Sequence, residues 1–225
     1  MTNNVNTDSV MASEVSRRGM GKPAAAAPGV HELLRERWSP RAFAAAPVPV
    51  AELDVLLEAA RWAPSSMNEQ PWRFVVADRS RDAEGHARLV ATLSPANVRW
   101  ASQAPVLALV AAKTDFSQSG KPNPTALYDA GQAVAMLSVQ ATAMGLAVHQ
   151  IGGFDHEAAR AALGVPAGIE PIAVLAIGYL GDPDALDPQL RAREIAPRSR
   201  RPVSDWAYEG GWGGAMGPAM ASYKN

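Results

Sequence analysis

The sequence predicts a mixed α/β or α+β layer fold, with helices packed against a sheet. Three observations lead there: four short apolar runs of strand length, segments of helical period between them, and a single chain of 225 residues with 48% hydrophobic content. A chain of this size and composition closes one sizeable core. A second full domain is not expected.

Residues 1–29, "MTNNVNTDSVMASEVSRRGMGKPAAAAPG", show no core-facing period and no apolar segment long enough for a secretory signal, so a disordered or loosely docked tail is predicted. From Val30 the pattern changes, and "VHELLRER" reads as a short helix. In "AELDVLLEAARW", Leu53, Leu56, Leu57 and Ala60 recur at i, i+3, i+4 and i+7. That is an amphipathic helix, begun near Pro49 and ended by Pro64.

Four runs read as strands: Arg73–Ala77, Val106–Ala111, Leu146–Ile151 and Ile172–Gly178. Helix-like segments lie between them at Arg81–Leu93, at about Thr125–Met144, and in "DHEAARAAL", where Asp155 is a plausible N-cap. The long helix at 125–144 has apolar residues around most of its circumference and should be buried nearly all round, in the core or in a subunit interface. From Leu186 the chain is basic and then Gly- and Trp-rich, with little sign of regular structure. An arm over residues 186–225, draped over another surface, is expected, and residues 30–225 form the single domain.

Composition excludes several classes of function. A net charge of −1 with dispersed basic residues argues against a general nucleic-acid binder. Runs such as Ala104–Ala112 fall short of the roughly 20 apolar residues that span a bilayer. Cysteine is absent, which removes disulfides and thiolate chemistry and makes the cytoplasm the default compartment. No phosphate loop, G-x-G-x-x-G fingerprint, H-E-x-x-H or G-x-S-x-G elbow occurs, and His31, His86, His149 and His156 lack metal-ligand spacing.

Four stretches carry polar groups in suggestive order. In "RERWSPRAF", Arg37, Ser39 and Arg41 alternate, so an extended backbone points them the same way, and Pro40 favours extension at Ser39. Two guanidiniums flanking a hydroxyl suit phosphate or carbonyl oxygens; a solvated basic turn is the alternative. "APSSMNEQPW", residues 63–72, gives ten loop positions to prolines, serines and amides, more than a turn requires. "HQIGGFD" ends a strand with paired glycines, which either admit a planar ligand to the backbone or make a tight turn. "PRSRRPV" adds Arg198, Arg200 and Arg201 in a proline-bounded stretch that reads equally as a positive tail.

Taken in order, "RERWSPRAF", "ARWAPSSMNEQPWRFVV", "APVLALVAA", "IGGFD" and "PRSRRPV" resemble the nitroreductase superfamily of flavin enzymes over about Leu33–Gly213. The resemblance implies an α+β fold with a central, mainly antiparallel sheet flanked by helices. It also implies an intertwined homodimer whose C-terminal arm reaches the partner and whose two FMN molecules lie at the subunit interface.

Carried over by position, Arg37, Trp38, Ser39 and Arg41 line the phosphate, ribityl and pyrimidine side of FMN, and Arg198 and Arg200 join Arg37 at the phosphate. Pro64, Ser65, Ser66 and Asn68 border the ring from the partner subunit. Ile151, Gly152 and Gly153 lie beside it, and Asn97 or Arg99 faces the pyrimidine. Gln70 and Trp72 anchor the loop or touch the ligand. NAD(P)H is the implied reductant, nitroaromatics and quinones the implied acceptors, and exchange at one open ring face implies ping-pong kinetics. No side chain is expected to act as general acid or base. Related flavoproteins with dehydrogenating or dehalogenating chemistry, and a non-enzymatic flavin module, are the alternatives.

Overall fold

The second strand organises the molecule. β2 (Val106–Lys113) is buried at seven of its eight positions, so both of its faces pack against protein, as its unbroken apolar sequence requires. It pairs antiparallel with β1 (Trp72–Asp78) on one side and β4 (Ile169–Gly178) on the other, and β4 pairs antiparallel with β3 (Ala147–Ile151). The sheet order is β1-β2-β4-β3. The register between β2 and β4 shifts at Val110/Ala111, and Pro171 stands opposite Ala111. A bulge is a position where a strand tolerates proline, which cannot donate to the ladder. The computed structural model describes residues 21–215 and 217.

Two layers of helices cover the sheet, and the alternation of side chains along β2 and β4 sorts the core between them. Val106, Ala108, Val110, Leu175 and Ile177 face α2 (Val50–Arg61) and α5 (Ala126–Ala143). Leu107, Leu109, Val174 and Ala176 face the other layer. That layer contains α3 (Ala83–Ala91), α4 (Pro95–Ala101), α6 (His156–Leu163) and α7 (Pro188–Ile195). A short helix, α1 (Glu32–Glu36), precedes them and lies against α5.

The ends of these helices follow from local chemistry. Asp82, Asp155 and Asp187 each accept a hydrogen bond from a backbone N–H in the first turn of α3, α6 and α7. Gly164 closes α6 in the left-handed conformation (φ 64°).

Two expectations are corrected. The stretch after Leu186 is not irregular throughout: α7 forms there, with Leu190 in the main core and Glu194 buried. Its signal was Asp187-Pro188, a capping carboxylate followed by proline at the first helical position. Beyond Arg81–Leu93 a second helix, α4, starts in the same way at Ser94-Pro95. The long helix α5, expected to be buried in the core or in a subunit interface, packs one side into the core of the single chain through Ala126, Ala130, Ala133, Val134, Leu137 and Ala141. Leu127, Tyr128 and Met136 are exposed.

Part of the expected N-terminal tail, residues 1–20, lies outside the described residues, as do Met216 and residues 218–225 of the expected arm. Residues 21–29 carry no regular element but dock: Ala24 N–H donates to the Arg35 carbonyl at 2.7 Å, and Lys22 Nζ donates to the Glu194 carbonyl at 2.6 Å.

His149, on edge strand β3, joins this framework to the connection after α1. Its ring lies against buried Trp100 of α4, centroids 4.3 Å apart and tilted by 36°, and Nδ1 donates to the Pro40 carbonyl at 2.7 Å. Burial pushes its pKa from 6.5 down to about 4, against the raising effect of the Pro40 carbonyl and helped by the nearby Arg41 and Arg37 cations. The unfolded chain therefore takes up a proton near pH 6.5 that the folded chain resists until about pH 4. The associated stability is present above pH 6.5 and is lost as the pH falls towards 4. Urea unfolding of the wild type and His149→Gln should show the wild type losing about 3 kcal/mol more than the variant between pH 7 and pH 4. Parallel pH profiles would contradict this role.

Candidate cofactor site

Arg37 ends α1 with extended backbone angles (φ −56°, ψ 122°), and the chain continues extended towards Pro40. Arg37 and Ser39 consequently lie on one side, with Nη1 3.4 Å from the serine Oγ. Two groups from the C-terminal stretch hold this segment. The Glu194 carboxylate accepts from Arg41 N–H at 2.9 and 3.0 Å and from Ala42 N–H at 3.0 Å. The Arg198 guanidinium donates to the carbonyls of Lys22, Arg35 and Arg37 at 2.7–2.9 Å.

The arginines predicted for the phosphate are brought together. The pKa of Arg37 is lowered by burial and by the Arg200 charge, and that of Arg198 by burial and by Arg37 and Arg200. Among the described residues, no carboxylate comes within ion-pair distance of Arg37 or Arg198. The Arg37 and Arg198 cations repel each other, and a phosphate dianion with its three acceptor oxygens relieves that repulsion. The donor set thus fits a phosphorylated ligand. Beside it, Lys22 Nζ lies 5.0 Å from the centroid of the Trp38 ring, a cation–π contact.

The end of β3 forms a second wall. Ile151 is buried, whereas Gly152 and Gly153 are exposed. The Gly153 carbonyl accepts from Asn97 Nδ2 and from Ser94 N–H, each at 3.0 Å. A Cβ on Gly153 would stand 2.7 Å from Asn97 Nδ2, so a larger residue here would displace the Asn97 amide from its contact with the Gly153 carbonyl. Asn97 therefore meets the glycine pair. Arg99, two residues on, does not join it: its guanidinium pairs with Asp187 at 2.6 Å and reaches Gln189, tying α4 to the start of α7.

The loop after α2 is tightly organised and strained. Met67, Asn68 and Gln70 all have positive φ, between 50° and 55°, which costs roughly 1 kcal/mol or more at each residue. Ser65 Oγ accepts from Gln70 N–H at 3.0 Å. Ser66 N–H donates to buried Asp129 at the start of α5, at 3.0 Å. The side chains of Pro64 and Asn68 are exposed, and Met67 is 82% exposed. Among the described residues no hydrogen bond joins this loop to the Arg37–Arg41 segment of the same chain. A cleft of about 280 Å³ beside Trp38, bounded by Lys22, Leu180, Gly181, Glu194 and Ile195, is below the roughly 300–1,000 Å³ typical of small-molecule pockets.

Sequence reasoning missed Glu194, Asp129, Lys22 and the ring of His149. Each acts through contacts distant in sequence, and only the Asp187-Pro188 cap that sets the phase of α7 offered a signal for Glu194.

The nitroreductase family model matches residues 34–96 and 83–179. A protein of Mycolicibacterium smegmatis described as an uncharacterized 15.4 kDa protein is 39% identical over 120 residues, 52% of this chain and 78% of its own. A Rhodopseudomonas palustris protein provisionally named NADH dehydrogenase/NAD(P)H nitroreductase is 30% identical over 149 residues, 58% of this chain and 74% of its own. Among solved structures, one described as an oxidoreductase containing FMN aligns at a TM-score of 0.79 with 38% identity, covering 85% of this chain and 96% of that one. A Desulfovibrio desulfuricans protein, provisionally called a nitroreductase and solved in complex with FMN, aligns at 0.65 with 25% identity, covering 82% and 98%. The family model spans the sheet, helices α2 to α6 and the Arg37–Arg41 segment, more than half of the chain, and the chain belongs to the nitroreductase family.

Proposed function

We propose that the protein is an FMN-dependent oxidoreductase that uses NAD(P)H to reduce nitroaromatic, quinone or related organic acceptors with ping-pong kinetics, and that it works as a homodimer in the cytoplasm. The observation that carries the reading is the gathering of Arg37, Arg198 and Arg200 with, among the described residues, no ion-paired carboxylate on Arg37 or Arg198. When bound, FMN supplies two-electron transfer between a reduced nicotinamide and an organic acceptor.

The chain's own residues bind and orient. Arg37, Arg198 and Arg200 hold the phosphate, with Ser39 and Trp38 beside them. Arg41, with a side chain 27% exposed, stabilises negative charge at the pyrimidine edge. Asn97, Ile151, Gly152 and Gly153 form the wall beside the ring, and Arg99 supports that wall through α7. Pro64, Ser65, Ser66 and Asn68 close the site from the second subunit, with Asp129 holding their loop. This arrangement accounts for three strained residues in a loop that no bond links to the arginines of its own chain. It also gives the exposed Leu34, Leu127, Tyr128 and Met136 a surface to cover. Among the described residues no helix is long and apolar enough to cross a membrane, and no group of three or more His, Cys, Asp or Glu side chains could hold a metal ion.

Anaerobic mixing of the FMN-loaded protein with NADH and with NADPH tests the reading. Bleaching of the flavin absorbance by at least one of them is expected, with parallel double-reciprocal plots in steady state; a flavin that neither nucleotide bleaches would refute it. Arg41→Ala should slow flavin reduction by roughly tenfold or more while leaving the thermal midpoint close to the wild-type value. Unchanged reduction kinetics would remove Arg41 from this role.

A further inference from the structure

Glu194 is an unusual residue to find beside a cluster of cations. Its side chain is 1% exposed, and it lies near the C-terminal end of α7, where the helix dipole disfavours a negative charge. Both of its oxygens are engaged by the N–H groups of Arg41 and Ala42. Oε2 also lies 4.0 Å from Arg41 Nη1, and the carboxylate is felt by Lys22. A buried carboxylate is retained where hydrogen bonds and nearby cations offset its desolvation. Here those partners are the backbone and side chain of the residue placed at the pyrimidine edge.

Resting on the FMN reading above, the geometry points to Glu194 as a positioning residue with two separable effects. Its shape fixes the backbone at Arg41 and Ala42, which aims the Arg41 guanidinium. Its charge partly neutralises that guanidinium and so limits how strongly Arg41 favours the anionic reduced flavin. The site is thereby set at a lower electron affinity than its arginines alone would give. Arg198, four residues on, completes the hold by capping the carbonyls of Arg35 and Arg37. The end of α7 and the residues just after it thus secure both the donors and the acceptors of the same segment.

Two conservative variants separate the effects. Glu194→Gln keeps the length and one acceptor but removes the charge; Glu194→Asp keeps the charge but withdraws it from the N–H groups. The FMN-loaded wild type and both variants are titrated anaerobically against reference dyes, and oxidised FMN binding is followed by fluorescence quenching. In Glu194→Gln, affinity for oxidised FMN should stay within about threefold of wild type. The ratio of reduced to oxidised dissociation constants should fall by about tenfold, a rise of about 30 mV for a two-electron couple. In Glu194→Asp, oxidised FMN should bind about tenfold more weakly, with a potential close to that of wild type.

A midpoint in Glu194→Gln that is unchanged or more negative while FMN stays bound would overturn the assignment. So would a rise of the same size in Glu194→Asp, which also decides the case if the glutamine variant does not fold. Failure of the wild type to bind FMN would instead show that the FMN reading itself is at fault.

Discussion

Positive charges held together repel one another, and a fold keeps them so only if something else stabilises the arrangement. In this protein burial and the Arg200 charge lower the pKa of Arg37, burial and the charges of Arg37 and Arg200 lower that of Arg198, and among the described residues no carboxylate pairs with Arg37 or Arg198. The one buried carboxylate nearby, Glu194, faces the amides of Arg41 and Ala42. The cluster is therefore left with a net positive field aimed at a ligand. A phosphate group answers that field, and the proposed identity of the ligand grows from this one imbalance.

The rest of the architecture keeps the imbalance in place. β2 and β4 make a sheet buried on both faces, and its two apolar sides fix the helices that carry the site. β3 brings His149 under the Pro40 carbonyl, with Trp100 as a floor beneath the ring. α7 brings Glu194 and, just beyond its end, Arg198 to opposite polar groups of the same extended segment. Rigid elements thus hold the backbone of this short stretch from three directions, so it needs little ordering when a ligand arrives. The strained loop after α2 is fixed separately, through Asp129 at the start of α5.

Much of this was legible in the sequence, for identifiable reasons. The strands announced themselves because both faces of β2 and β4 are buried, which leaves continuous apolar runs. α2 and α6 carried a periodic face or a capping aspartate. The Arg-x-Ser-x-Arg alternation was readable because proline fixes an extended backbone, and the structure does place Arg37 beside Ser39. What escaped has physical causes too. α7 is short and strongly polar, and its Asp187-Pro188 start was the only local mark. Asn97 and Arg99 are two residues apart on one helix, and only three-dimensional structure shows that one meets Gly153 while the other pairs with Asp187. Glu194 is charged, so its sequence suggested solvent; its burial follows from amides about 150 residues away.

The imbalance of charge is tested most directly by comparing two ligands that differ only in the phosphate. Fluorescence quenching gives the dissociation constants of FMN and of riboflavin for the same apoprotein, at low and at high salt. If the arginine cluster is a phosphate site, FMN binds at least a hundredfold more tightly than riboflavin, roughly 3 kcal/mol for charge-assisted contacts, and added salt narrows the gap. Equal affinities for the two, unchanged by salt, would contradict the account.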